Sequence, residues 1–216
     1  MQILVAAATE LEIKPFKTQY PSADILITGV GSPATIYHLT KRVQAIDYDL
    51  VIQAGIAGVF GNDHRLGDVV TVQSDQFADL GVLTATGFES IFDMKLADPE
   101  IMPYQKGWLN NPESYSLPYG KVKGITVNTI TDDPAIIQMF SAKFCADIET
   151  MEGAAVHYVC LQENVPFLQL RSLSNHIGER DKTKWMLELA IHNLNHELES
   201  IYKNMKSERL HKNTGQ

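Results

Sequence analysis

The chain has 216 residues, of which 44% are hydrophobic and 20% are charged, and its formal net charge is −8. These values are ordinary for a globular protein, and the length suits one large α/β domain. The acidic balance without a basic run argues against a nucleic-acid partner, and no apolar run is long enough to span a bilayer.

The amino terminus, MQILVAAATELE, lacks a positively charged region and soon meets two glutamates, which is not typical of a signal peptide. Cys145 and Cys160 stand in no metal-like spacing, and no His/Cys/Asp cluster has the spacing of metal ligands. We therefore expect a cytoplasmic protein in a reducing compartment that needs no metal ion and no cofactor.

Apolar strand patterns alternate with amphipathic helix patterns along the chain. Strands are predicted over residues 2–8, 24–31, 49–61, 67–77, 121–130 and 166–175. Helices are predicted over residues 33–46, 134–144, 153–164 and 182–205, with a short helix or turn over 9–20. Asp181 is the expected N-cap of the last helix. Residues 78–120 are rich in Gly, Pro and Asn and are predicted to be loop-rich.

This alternation predicts a three-layer α/β/α single domain with a central mixed, largely parallel, twisted sheet. The domain is expected to span residues 1–206, followed by a flexible tail over 207–216. Ligands bind such sheets at the carboxyl ends of the strands. The candidate site is therefore made by the polar or glycine-rich strand exits, which are Thr9–Glu12, Gly29–Gly31, Gly55–Gly58, Thr129–Thr131, Glu149–Glu152 and Ser174–Asn175.

Two glycine turns follow strands, GVG at 29–31 and AGIAG at 54–58. Glycine permits positive φ and a close approach of a ligand to the backbone. Neither turn matches GxGxxG or the P-loop pattern, so a dinucleotide or ATP site is only weakly supported. Taken singly, each is explained equally well as an ordinary turn.

Five segments in order resemble the purine nucleoside phosphorylase/nucleosidase superfamily. They are ATELE at the start, GIAG, LGDVV at 66–70, MEGAA at 151–155 and VPFLQLRSLSN at 165–175. Their order is similar to that of methylthioadenosine/S-adenosylhomocysteine nucleosidases. The version ETMEGAA followed by RSLSNHIGERDKTKW is more similar to futalosine hydrolases of the alternative menaquinone pathway. The resemblance implies a nucleoside substrate, hydrolysis that releases hypoxanthine, and a homodimer or larger homo-oligomer.

Cleavage of a nucleoside requires a bound ribose, an activated water and a neutralised leaving purine. The resemblance makes Glu12 the catalytic base that deprotonates the water. Glu10 is a rival two residues away, and both could instead be solvated acids in a first helical turn.

Glu152 matches the glutamate of the family that binds ribose. A carboxylate accepts two hydrogen bonds and a 2′,3′-diol donates two, so the pairing is bidentate. Met151 is expected to pack against the sugar. The alternative is an acid favoured by the dipole at a helix N-terminus. Glu149 is expected to lie in the neighbouring loop, with a structural role rather than a catalytic one.

Asn175 departs from the adenine-cleaving nucleosidases, which have aspartate at this position. Its NH₂ group suits a 6-oxygen and its carbonyl suits a protonated N7, so it favours hypoxanthine over adenine. Ser174 could orient Asn175. Because asparagine supplies no proton, protonation of N7 must come through solvent or another group. An ordinary asparagine in a turn after a strand is the alternative.

Water is the expected nucleophile rather than phosphate. The phosphorylase branch of the family has an arginine two residues before the GIAG turn, where this chain has Gln53. Without a cationic cradle, phosphate would be poorly held. Ile56 stands where many relatives have a hydroxyl residue, which leaves open how the water or the sugar is oriented.

The remaining candidates are less specific. Arg171 matches a family arginine near the site, although a structural ion pair explains it equally well. Phe88 could stack on the ligand or line a subunit contact, and packing in the core is the alternative. Further expected substrate contacts are Gly55, Ile56 and Ile130.

The segment GERDKTKW, Gly178–Trp185, could close over the pocket. In that case Arg180, Lys182 or Lys184 could meet the benzoate carboxylate of futalosine. A solvated loop before the last helix is an equally good interpretation.

Overall fold

A computed structural model of the chain describes residues 1–84, 86–112 and 117–212, with side chains described up to residue 207. The strands are β1 Ile3–Ala7, β2 Asp24–Ile27, β3 Leu50–Val59, β4 Val69–Asp75, β5 Gly81–Thr84, β6 Gly87–Ser90, β7 Leu109–Asn110, β8 Gly120–Thr126, β9 Ile148–Thr150 and β10 Phe167–His176. The α-helices are α1 Glu10–Gln19, α2 Ser32–Ala45, α3 Pro134–Phe144, α4 Gly153–Gln162 and α5 Leu187–Lys212.

An eight-stranded mixed sheet forms the centre of the domain, in the order β10-β4-β8-β9-β3-β1-β2, with β7 paired to β4. Because β10 also pairs with β3, five of these strands close into a ring from which β1 and β2 extend. Within the ring, β3 and β10 run in one direction, whereas β4, β8 and β9 run in the other. The predicted mixed, largely parallel sheet is confirmed.

Helices cover both faces of the sheet. Alternate residues of a strand point to opposite faces, so Ile3 and Val5 of β1 pack in one core cluster with residues of α1 and α5. Leu4 and Ala6 pack in a second cluster with residues of α2 and α4. Because β1 is buried on both faces, its sequence is continuously apolar. The predicted three-layer arrangement is therefore confirmed.

The predicted start of the last helix at residue 182 is wrong. The Asp181 side chain accepts a hydrogen bond from the Thr183 N–H at 3.0 Å, but it caps only a 3₁₀ turn over Lys182–Lys184. Trp185 then adopts an extended backbone, and its indole N–H donates to the Glu179 carbonyl at 2.9 Å. This folded-back loop delays the regular helix to α5, which begins at Leu187.

Helix α5 is described to Lys212, beyond the domain boundary predicted at residue 206. Residues 213–216 lie outside the described range, and the flexible tail stays a prediction. None of the helices that the structure describes has the length and hydropathy needed to cross a membrane.

The segment over residues 78–120, predicted to be loop-rich, contains more regular structure than expected. Strands β5 and β6 form an antiparallel hairpin, and β7 pairs with β4 at the main sheet. Each hairpin strand has only four residues. A strand this short offers little periodicity, which is why the sequence pattern did not reveal it.

Candidate active site

A cavity of about 310 Å³ lies beside the junction of β3, β9 and β10. This volume falls within the range of small-molecule sites. The residues lining it come from the start of α1, the β2–α2 loop, the end of β3, the β8–α3 loop, the β9–α4 junction, β10, the loop after β10 and the start of α5. They include Thr9, Glu12, Val30, Ile56, Ala57, Gly58, Ile130, Glu149, Met151, Glu152, Ser174, Asn175, Arg180 and Trp185.

Glu12 is buried at the first turn of α1, where three hydrogen bonds fix its carboxylate. Oε2 accepts from the backbone N–H of Thr9 at 2.9 Å, as part of a capping box, and also from the Thr9 hydroxyl at 3.0 Å. Oε1 accepts from the Ile56 N–H at 3.2 Å. Because a carboxylate has about four acceptor positions, Glu12 can also accept a hydrogen bond from a water in the cavity.

The rival acid Glu10 lies outside this site. Its side chain is 66% exposed and forms a salt bridge of 2.6 Å with Lys17. It does not line the cavity. Of the two acids in ATELE, the geometry therefore places Glu12 at the cavity and Glu10 in solvent.

Arg171 and Gly55 lie behind the cavity wall and do not line the cavity, contrary to the expected direct contact with substrate. Arg171 is 1% exposed, and its Nε and Nη2 atoms have no hydrogen-bond partner among the described residues. A Cβ atom at Gly55 would overlap Arg171 Nη1 and lie 2.9 Å from Glu12 Oε1. Because Gly55 has no side chain, the Arg171 guanidinium can approach the Glu12 carboxylate at this point.

Glu152 occupies the N-cap position of α4, but its side chain does not cap the helix. Two threonines serve the first free N–H groups of the helix instead. Thr150 Oγ1 accepts from Gly153 N at 3.1 Å, and Thr126 Oγ1 accepts from Ala154 N at 2.7 Å. Glu152 is therefore available to the cavity.

The Glu152 carboxylate is held at the cavity by backbone groups, and its Oε1 accepts from the Gly31 N–H at 2.9 Å. Burial raises the pKa of Glu152, whereas the positive charge of Arg171 and the Gly31 hydrogen bond oppose that rise. Because Glu152 lines the cavity and a carboxylate has about four acceptor positions, it can accept hydrogen bonds from a diol. Met151 lines the cavity beside it.

Asn175 lies near the end of β10, and Ser174 orients it as the sequence suggested. The Ser174 hydroxyl donates to Asn175 Oδ1 at 2.8 Å, and Asn175 Nδ2 donates to the His176 carbonyl at 3.0 Å. These two hydrogen bonds fix the orientation of the amide, with its oxygen toward Ser174 and its nitrogen toward the His176 carbonyl. One N–H of the amide makes no hydrogen bond with the described residues and remains available for a ligand.

Glu149 is a site residue that the sequence interpretation missed. It lies on strand β9 rather than in a loop, lines the cavity and is 8% exposed. Burial, followed by the negative charge of Asp79, raises the pKa of Glu149 to about 7. The signal that could have revealed it is the polar pair Glu149–Thr150 immediately before the MEGAA motif.

Phe88 contacts the core and not the cavity, so the expected stacking on the ligand is not observed. It is 7% exposed and packs against Phe140 and Phe144 of α3, at ring-centroid distances of 5.6 and 6.1 Å. On β6 the residues alternate, so Phe88 and Ser90 point inward while Glu89 is exposed.

The loop over residues 178–185 reaches the cavity through part of its length. Arg180 and Trp185 line the cavity, whereas Lys184 forms a salt bridge of 2.8 Å with Glu179. Within the described ranges, no group of His, Cys, Asp and Glu side chains is arranged as a metal site.

Comparisons with a family model and with curated proteins agree on one protein family. A sequence model of the phosphorylase superfamily matches residues 23–203. Futalosine hydrolase of Acidothermus cellulolyticus is 31% identical over 183 residues, which cover 81% of this chain and 73% of that protein. A 5′-methylthioadenosine/S-adenosylhomocysteine nucleosidase of Shewanella frigidimarina is 31% identical over 181 residues, covering 78% and 77% of the two chains.

The fold also resembles that of a solved structure. The native structure of futalosine hydrolase of Helicobacter pylori superposes with a TM-score of 0.77, at 17% identity, over 94% of this chain and 97% of that chain. At this identity the likeness concerns the fold alone.

Proposed function

Because the chain belongs to the phosphorylase superfamily, we propose that it is a purine nucleosidase that hydrolyses the N-glycosidic bond of futalosine. The products are hypoxanthine and dehypoxanthine futalosine, an intermediate of menaquinone synthesis. The observation that carries the proposal is the meeting of Glu12, Glu152 and Asn175 at one cavity. They supply a base, an acceptor for the ribose diol and an amide that suits a 6-oxo purine.

The ribose is held first. Glu152 accepts hydrogen bonds from the 2′- and 3′-hydroxyls, and Met151 packs against the sugar. As the glycosidic bond stretches, positive charge develops on the ribose. The buried carboxylates of Glu152 and Glu12 stabilise that charge, because electrostatic interactions are stronger in a site from which water is excluded.

The attacking water is activated by Glu12. Its carboxylate is fixed by Thr9 and by the Ile56 N–H, so a water bound to it needs little reorganisation before attack. General-base catalysis of this kind contributes roughly 10²–10⁴-fold to the rate. Arg171, which approaches the same carboxylate behind Gly55, keeps positive charge near the base without contacting the cavity.

The charge of the cavity favours water over phosphate as the nucleophile. Four residues with carboxyl side chains line the cavity, Glu12, Glu149, Glu152 and Glu179. Among the lining residues that the structure describes, Arg180 is the only cation, and it is exposed. A phosphate dianion would meet repulsion there and no cationic cradle.

Two alternative functions use the same cavity. A nucleosidase for methylthioadenosine or adenosylhomocysteine fits the fold, but Asn175 does not suit a 6-amino purine. A nucleoside-binding protein without catalysis would have no need for a buried base such as Glu12. We therefore place futalosine hydrolysis ahead of both.

The Asn175→Asp variant tests the recognition of the 6-oxo purine. We expect its preference to move toward adenine-releasing substrates by about 10-fold or more, since a site that leaves a buried polar group unpaired discriminates against the wrong base. The measurement compares kcat/KM for inosine-type and adenosine-type substrates in both proteins. An unchanged ratio in the variant, with its fold intact, would contradict the role of Asn175.

Three finer points remain predictions. Arg180 is the candidate partner of the carboxylate of futalosine, because it lines the cavity while Lys184 is paired with Glu179. A homodimer or larger assembly is expected from the sequence resemblance, and a cytoplasmic location from the amino-terminal sequence and the cysteine pattern.

A further inference from the structure

Asp75 is a buried acid that the proposed mechanism does not use. It ends strand β4, is 0% exposed and is not one of the residues that line the cavity. Its Oδ1 accepts from the Thr126 hydroxyl at 2.9 Å and from the Gln76 N–H at 2.8 Å. Its Oδ2 accepts from Gln169 Nε2 at 3.2 Å. Because a buried charge is costly even when it is hydrogen-bonded, its position calls for a reason.

The Thr126 hydroxyl connects this carboxylate to the first turn of α4. Its Oγ1 accepts from the Ala154 N–H at 2.7 Å. It also lies 3.2 Å from Thr150 Oγ1, which accepts from the Gly153 N–H at 3.1 Å. A hydroxyl has one proton and two lone pairs, whereas an ionised carboxylate only accepts. Thr126 therefore donates to Asp75, Thr150 donates to Thr126, and both threonine oxygens accept from the helix.

Asp75 lies against the N-terminus of α4 because residue 153 is glycine. A Cβ atom at Gly153 would be 2.1 Å from Asp75 Oδ2 and 2.3 Å from Gln169 Nε2. A negative charge at a helix N-terminus is favourable, and the first turn of α4 has no acidic residue of its own. Since hydrogen bonds in a chain polarise one another, this charge also makes the Thr126 oxygen a stronger acceptor. Asp75 and Thr126 therefore serve the helix terminus from outside the helix.

Glu152 would otherwise be the acceptor closest along the chain to these N–H groups. It occupies the N-cap position, from which a side chain usually accepts from the second or third N–H of the helix. The second of these is the Ala154 N–H, which Thr126 already serves. The Glu152 carboxylate is thereby left to the Gly31 N–H and to the cavity.

We infer that Asp75 and Thr126 are positioning residues of the ribose site. The Asp75 carboxylate holds the Thr126 hydroxyl in place as the cap of α4, and this cap leaves Glu152 free to bind the 2′,3′-diol. The inference rests on the proposed function, in which Glu152 binds the ribose. Neither Asp75 nor Thr126 lines the cavity, so both act through Glu152.

The protonation of Asp75 agrees with a functional rather than a stabilising role. Burial raises the pKa of Asp75 to about 6, although the hydrogen bonds from Thr126 and Gln169 and the positive charge of Arg171 oppose this rise. The native state thus binds this proton more tightly than the unfolded state, and stability is lost as pH rises from about 4 to about 6. At pH 7 the side chain is mostly ionised, so the protein keeps this carboxylate at a cost in stability.

The test compares Thr126→Val, which keeps the shape and removes the hydroxyl, with Thr126→Ser, which keeps the hydroxyl. In Thr126→Val the Glu152 carboxylate must leave the cap of α4 before it can bind the diol. We therefore expect kcat/KM for hypoxanthine release to fall by about 3–30-fold, which corresponds to the loss of a helix cap. Discrimination against 2′-deoxy and 3′-deoxy substrates should fall by a similar factor. Thr126→Ser should behave as wild type in both measurements.

The matched control is Thr71→Val. Thr71 is a buried threonine of the same strand as Asp75, and its hydroxyl donates to the Gly120 carbonyl at 3.4 Å, away from α4. Its replacement removes the same atoms from the interior and should leave both kcat/KM and the discrimination unchanged. Equal losses in Thr71→Val and Thr126→Val would mean that the effect is a general disturbance of the core, and would overturn the inference.

Asp75→Asn tests the part played by the carboxylate. Asparagine keeps the shape and one acceptor oxygen but removes the charge, so discrimination against the deoxy substrates should fall by at least about 2-fold. In a Glu152→Gln background, neither Asp75→Asn nor Thr126→Val should lower kcat/KM further, because both act through Glu152. Unchanged discrimination in Asp75→Asn, or a full additional loss in the Glu152→Gln background, would overturn the inference.

A crystal structure of Thr126→Val gives a readout that does not depend on catalysis. The Glu152 carboxylate should accept from the Ala154 N–H in place of the Gly31 N–H, and a carboxylate still bound to Gly31 would overturn the inference. If the wild type releases no purine from any nucleoside, the proposed function fails, and this structure still decides the position of Glu152. If the wild type is active and Thr126→Val discriminates as well as the wild type, only the inference fails. Thermal unfolding shows whether Thr126→Val folds, and Asp75→Asn carries the same measurements if it does not.

Discussion

Replacement of Glu12 by glutamine should lower kcat for purine release by about 10²–10⁴-fold, the usual contribution of a general base. Glutamine has nearly the same shape as glutamate. Its amide oxygen can still accept a hydrogen bond from either Thr9 or the Ile56 N–H. The substitution removes the proton acceptor for the attacking water. Steady-state kinetics with hypoxanthine detection measures the effect, and thermal unfolding shows whether the variant is folded.

The matched control for this prediction is Glu10→Gln. Glu10 lies in the same helical turn, but its side chain is exposed and pairs with Lys17. Its loss should leave kcat unchanged and alter stability by less than about 1 kcal/mol. Turnover by Glu12→Gln at the wild-type rate would show that Glu12 is not the general base.

The second large effect is expected for Glu152→Gln, with a loss in kcat/KM of about 10²–10⁴-fold. The estimate follows from two hydrogen bonds to a charged group, each contributing about 1.5–3 kcal/mol, with a tenfold change for about every 1.4 kcal/mol. Glutamine accepts at only one atom, so it cannot bind both hydroxyls of the diol in the same way.

Substrates that lack a sugar hydroxyl show whether this loss comes from ribose binding. The wild type should discriminate strongly against 2′-deoxy and 3′-deoxy substrates. Glu152→Gln should discriminate much less, because the group that recognises the diol is already gone. If both proteins discriminate equally, the diol is bound by some other group.

The sheet and its covering helices follow closely from the sequence pattern. Strand β1 is continuously apolar because it is buried on both faces, and α2 and α3 have proline near their first turn. Closure of the sheet through the β10–β3 pairing was not predictable, because the pairing depends on residues far apart in sequence. Strand β9 was missed because three residues carry too little periodicity.

The candidate site was predictable in part. Resemblance placed Glu12, Glu152 and Asn175, and all three line one cavity. The reason that Glu152 is free to meet a ligand could not be read from the chain, since it depends on Thr126 of another strand capping α4. The burial of Arg171 behind Gly55 was equally hidden, because both residues match a family pattern that does not specify which side chains reach the ligand.

The most direct test of the account is the release of hypoxanthine from futalosine by the wild-type protein, compared with adenine release from methylthioadenosine, each with and without phosphate. The account predicts that hypoxanthine forms at the same rate in the absence of phosphate, with kcat/KM at least about 10²-fold higher than that for methylthioadenosine. A requirement for phosphate, or a preference for the adenine nucleoside, would contradict it.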